Sequence, residues 1–249
     1  MNWKLLLYCH LAALVLLGTF FWPPTYSYWN ALDTAFFKFL NGSLVDSPKW
    51  QLFWALLNHK TADWIEDVIF LFFCILAVTK TSSEFRLKRA AQFIFCILLA
   101  IPVIYLANRI ICRELINVFR ISPSLVITPC VRLSQEIPWM KIKDSTHSCF
   151  PGGHAVTLLF FATFYMFFAG RKLGYYAIGY AIFRCLPRLI VGPIGSPDIL
   201  VGSTTVVLLS LSWALCTPFH TFCTHYIELA LKRVFAKLRT LRNRRFRQS

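Results

Sequence analysis

Residues 149–168 read CFPGGHAVTLLFFATFYMFF. From Ala155 onward this is an uncharged apolar run, the pattern of a helix dissolved in lipid. A plain membrane anchor needs neither two glycines nor a histidine at its mouth. Gly152 and Gly153 carry no Cβ and let main-chain N–H groups approach an anion. A helix N-terminus supplies such groups and a dipole that favours negative charge. His154 in that field can pass a proton to a leaving oxygen.

The rest of the chain shares this character. Of 249 residues, 57% are hydrophobic and only 15% charged, and the mean hydropathy is +0.58. Soluble domains carry about 25% charge. Six apolar spans follow, at roughly 4–22, 62–79, 90–111, 153–170, 174–191 and 199–216. They predict an all-α integral membrane bundle of about six transmembrane helices. The first span lacks a small-residue cleavage site before Trp22-Pro23-Pro24 and reads as an uncleaved helix. The bundle is expected to occupy residues 1–225, with a basic amphipathic cytoplasmic tail over 226–249. No internal repeat of the kind transporters carry is visible.

The formal net charge is +15. Its distribution argues against nucleic acid, because it lies between apolar spans and at the C-terminus. With a cytoplasmic N-terminus, one side collects most of the 26 basic residues and only Glu84 and Glu228 of the acidic ones. That asymmetry places both termini inside. The tail mixes Val234, Phe235, Leu238 and Leu241 with a dense basic face, as expected for a helix on anionic inner-leaflet lipids.

Most of the nine cysteines sit in apolar runs, with no CxxC pair. They read as small buried hydrophobes. Cys130 and Cys149 are the one pair that an oxidising outer compartment would join; the spacing leaves this open. Asp63 and Glu66 have capping-box spacing and suit a helix N-terminus.

Polar residues converge at three outward-facing ends. The third span ends LANRIICRELINVFRISPS, carrying Arg109, Arg113 and Arg120. The fourth begins at Pro151-Gly152-Gly153-His154. The fifth and sixth are joined by PRLIVGPIGSPDILVG, with Arg188 and Asp198 ten residues apart. Ionisable groups in a membrane interior point to function. An Arg fork suits phosphate oxygens, so the expected partner is a phosphate carried in the membrane.

These residues resemble the type-2 phosphatidic acid phosphatase superfamily. Its motifs run Lys-x6-Arg-Pro, Pro-Ser-Gly-His and Ser-Arg-x5-His-x3-Asp. Here they stand as Arg113-x6-Arg120 with Pro123 displaced, Pro151-Gly152-Gly153-His154, and Pro187-Arg188-x5-Ile194-x3-Asp198. FPGGH and PRLIVG…DILVGS are most similar to the lipid A 1-diphosphate synthase branch. The resemblance implies a membrane lipid phosphatase or phosphotransferase acting on a lipid phosphate or diphosphate, with no metal or other cofactor. In that branch the donor is undecaprenyl diphosphate and the acceptor lipid A 1-phosphate, on the periplasmic face of a bacterial inner membrane. It implies His154, Arg188 and Asp198 as catalytic residues, with Arg113, Arg120, Gly152 and Gly153 binding phosphate.

The third motif departs from that pattern. Its histidine nucleophile is Ile194, which has no lone pair to phosphorylate. His147 is the foremost substitute nucleophile; Ser196 and His59 also lie on the outer side. The alternative expectation is a catalytically impaired relative that still binds a phosphorylated lipid or a partner.

Overall fold

The computed structural model describes residues 1–245, with side chains described to Leu241; positions 246–249 of the expected basic tail lie outside the described residues. The elements are α1 (Trp3–Phe21), α2 (Pro23–Gly42), α3 (Pro48–Asn58), α4 (Lys60–Lys80) and α5 (Arg86–Tyr105). Two one-turn helices follow, α6 (Pro123–Val126) and α7 (Leu133–Glu136). Then come α8 (Gly153–Ala169), α9 (Arg171–Val191), α10 (Thr204–Cys216) and α11 (Phe219–Arg245). The described residues contain no β-strand, only an isolated bridge from His59 to Ile142. This is an all-α membrane bundle.

Trp3–Phe21, Ser83–Leu115 and Asp198–Cys216 are long and apolar enough to cross a membrane, and Gly153–Ala169 is a shorter apolar helix. The remaining expected spans, α4 and α9, carry charged residues, among them Glu66 and Arg184. These two are buried inside the bundle.

The core lies where α8 meets α4, α5, α9 and α10. Phe160, Phe164 and Tyr165 are fully enclosed. The Tyr165 hydroxyl donates to the Phe73 carbonyl at 2.9 Å, as a polar group in a dry core requires. Small residues let helices approach closely where lipid offers no hydrophobic drive. Ala155 and Ala162 on α8, with Ala177 and Ala181 on α9, are all buried.

Helices α2 and α3 fall outside the six apolar spans read from sequence. They pack on α9 through a second cluster around Leu44, Trp54 and Ile190. Asn41 of α2 donates to the Ile190 and Val131 carbonyls, both at 3.0 Å. The capping reading of Asp63 and Glu66 is corrected. The α4 cap is His59, whose Nδ1 accepts from the Thr61 amide at 3.3 Å. The two acids lie further along α4 and face α9. Cys130 and Cys149 are free thiols.

Candidate functional site

The end of the bundle where α8 begins is built around the turn Pro151–Gly153. The Gly152 amide donates to the Asp198 carbonyl at 3.3 Å. The Ser203 hydroxyl sits between the carbonyls of Gly152, at 3.0 Å, and Asp198, at 2.9 Å. The turn is thereby fastened to the π-helical segment Asp198–Ser203 that opens into α10. A second π-helical segment, Leu106–Leu115, extends α5. It sets Asn108 Nδ2 3.3 Å from where a Cβ on Gly153 would stand. A side chain at Gly153 would therefore press on Asn108. Helix α8 starts at Gly153, so its first-turn N–H groups lack helical partners.

Two ionic clusters flank this turn. In the first, Glu66 Oε2 accepts from Arg184 Nε at 2.7 Å and stands 3.5 Å from His154 Nε2. Arg184 also donates to the Leu57 carbonyl at 2.9 Å, tying α9 to the end of α3. Arg188 donates to Asp63 Oδ1 at 2.9 Å and Oδ2 at 3.1 Å. Glu66, Arg184 and Arg188 are buried, whereas the Asp63 side chain is 40% exposed. This cluster thus opens to its surroundings through Asp63.

In the second cluster Arg120 bridges two carboxylates, Asp33 and, at 2.8 Å, Asp198. Asp198 is wholly buried and also accepts the Gly195 amide at 2.6 Å. Asp33 accepts the Ser196 amide at 2.7 Å and the Ser196 hydroxyl at 2.9 Å. Burial works against the charge on Arg120, but Asp198 and Asp33 outweigh it and hold the guanidinium above even its usual range. Burial pushes the neighbouring Cys149 thiol well up, so it stays protonated. In the loop between α7 and α8 burial also raises Asp144, but hydrogen bonds from Ser134 and Arg132 override it and hold its carboxyl below the usual range.

Ile194 lies against the turn. Its Cδ1 is 3.6 Å from where a Cβ on Gly152 would be, and the side chain is buried. The third-motif position therefore faces the second-motif turn, and an alkyl group fills it. Of the residues singled out by sequence, His154, Gly152, Gly153, Arg120, Arg188 and Asp198 gather at this end. Arg113 is exposed, with no ion-pair partner among the described residues. His147 is exposed on the loop.

The chain is 30% identical over 213 residues to the lipid A 1-diphosphate synthase of Escherichia coli (strain K12), covering 84% of this chain and 86% of that enzyme. The chain belongs to the lipid A 1-diphosphate synthase family. No family model matches it, and no solved structure does.

This lipid A 1-diphosphate synthase relative holds four ionic residues that the motifs did not point to: Asp33, Asp63, Glu66 and Arg184. Three left a signal. Asp63, Glu66 and Arg184 are charges inside apolar spans, which lipid does not tolerate without a partner. Asp33 left none, because it lies outside the apolar spans and its partner Arg120 lies 87 residues away. No group of three or more His, Cys, Asp or Glu side chains suited to a metal occurs among the described residues.

Proposed function

We propose that this chain is an integral-membrane phosphotransferase-type protein acting on a lipid phosphate or diphosphate. By family, the donor is undecaprenyl diphosphate and the acceptor is the 1-phosphate of lipid A. The observation that carries the reading is the gathering of His154, Glu66, Arg184 and Arg188 beside the Gly152–Gly153 turn. In it, Arg188 and the first-turn amides of α8 hold phosphate oxygens, and His154, seated against Glu66, serves the leaving oxygen. Arg120 and Asp198 are each other's partners and shape the floor on which the turn rests. Arg113, at the exposed rim, supplies a further cation to an arriving headgroup. The site faces the periplasm, residues 1–225 form the membrane domain, and the tail 226–249 lies on anionic lipids of the inner leaflet.

The test is phosphoryl transfer from a prenyl diphosphate to a lipid phosphate by purified protein in detergent. Arg188→Ala is expected to lower turnover by about two orders of magnitude, the usual cost of one donor aimed at developing charge. Activity unchanged by both Arg188→Ala and His154→Ala rejects the reading.

Ile194 favours a second reading, a relative that binds the lipid phosphate without turning it over. Removing a covalent nucleophile leaves only residual catalysis. Ile194→His beside wild type separates the two. A gain of acid-labile phosphoprotein in the variant over a silent parent marks the non-catalytic binder. Turnover by the parent that the variant does not raise marks an active enzyme that does without residue 194.

A further inference from the structure

Two apolar grooves run down the outside of the bundle toward the end where α8 begins. The larger, about 740 Å³, lies between α4, α5 and α8, against Phe70, Cys74, Ile97, Ala100 and Phe161. At its polar end are Asp67 and Thr157, one residue from Glu66 and three from His154. From Asp67 to Thr79 it follows α4 for roughly 18 Å, at about 1.5 Å per residue. That is close to one leaflet of a hydrocarbon core about 30 Å thick.

The second groove, about 350 Å³, lies between α1, the Leu106–Leu115 segment and α10, against Leu17, Val103, Ala107 and Leu209. It ends at Pro151 and Gly202. Through Phe21 and Val118 it continues into a cleft of about 320 Å³ that reaches Arg120. Helix α5 is the wall between the grooves. Ile104 faces the first, Val103 and Ala107 the second, and Asn108 beyond them touches the Gly153 turn.

We propose that the two grooves seat the hydrocarbon chains of two lipids at once, their phosphate-bearing heads meeting at the Pro151–His154 turn, so that a phosphoryl group passes from lipid to lipid inside one complex. This rests on the phosphotransferase reading above. The first groove reaches α8 within one helical turn of His154, and the second reaches Pro151 and, through its cleft, Arg120. Ordinary bilayer lipid has no need of such an ending. Ile194 points the same way, since an alkyl side chain cannot hold the phosphoryl group between two separate lipid visits. In the transfer, an oxygen of the acceptor phosphate bonds to the terminal phosphorus of the donor diphosphate. The bond from that phosphorus to the bridging oxygen breaks, and its electron pair leaves with the donor monophosphate.

The test uses a diazirine-bearing hexadecyl phosphate, the matching diphosphate, and the matching alcohol as a headgroup-free control, on full-length protein in detergent. The expected result is chains carrying two adducts, one mapping to α4 or α8 and one to α1 or α10, with the alcohol labelling neither. Ile97→Trp, in the larger groove, is expected to cut labelling there about tenfold and spare the other groove. Leu209→Trp is expected to do the reverse. The unaffected groove in each variant reports that the protein is folded. Labelling by the alcohol as strong as by the phosphates overturns the proposal, as does a limit of one adduct per chain. Two phosphate-dependent adducts without phosphoryl transfer would uphold the paired-lipid site and reject the transferase reading; transfer with a single adduct would do the opposite.

Discussion

Arg120 carries its charge where a charge needs company. Its side chain is only 12% exposed, and it meets Asp33, 4% exposed, and Asp198, fully buried. The local sequence Phe119-Arg120-Ile121-Ser122-Pro123 marks the arginine as notable, but nothing near it reveals that two carboxylates meet its guanidinium. Breaking a buried pair leaves a charge stranded, at a cost of about 3–5 kcal/mol. Asp33→Ala is therefore expected to lower the thermal midpoint in detergent by roughly 6–20 °C, at about 2–4 °C per kcal/mol for a chain of this size. A midpoint within a degree or two of wild type would show that Arg120 does not depend on Asp33. Ile194 is the opposite case. Its identity was fully legible, and the structure adds only its address, beside Gly152.

At the scale of elements, α8 and α9 form the hairpin that presents His154 to Arg184 and Arg188. Its corner is Gly170, with φ of 92°, a left-handed conformation that suits glycine. One turn on, a Cβ at Gly174 would stand 2.6 Å from the Met166 Cα. Backbone cannot move aside as a side-chain tip can, so the helices must separate. Gly174→Ala is expected to cost about 1–3 kcal/mol, the range for overpacking, read as a lower thermal midpoint. Retained stability would mean that the hairpin tolerates a wider crossing. The apolar runs predicted α8 and α10 closely, because lipid exposure imposes a pattern that needs no partner. They did not predict α2 and α3, where Asp33, Lys38, Asn41, Lys49 and Gln51 break the apolar run. Nor did capping spacing predict the role of Asp63 and Glu66, because an acid in a first turn reads alike whether it faces solvent or another helix.

For the whole molecule, the distribution of charge sets an orientation that can be checked directly. With both termini inside, the loop around Ser83 is cytoplasmic and the loop around His147 is periplasmic. A maleimide that does not cross the membrane is expected to label His147→Cys in intact spheroplasts, and to label Ser83→Cys only after lysis. The reverse pattern would turn the bundle over and move the candidate site to the cytoplasmic face.

The amino-acid sequence alone determined the apolar segments, the Pro151–His154 turn at the mouth of α8, the family resemblance and the alkyl group at residue 194. Each is a local pattern, set by what lipid and a helix terminus accept. Only the tertiary structure decided which carboxylate meets which arginine. Glu66 and Arg184 are 118 residues apart and Asp33 and Ser196 are 163 apart. Such pairs form because packed helices leave a buried charge no other partner, and that depends on the whole bundle rather than on any one segment.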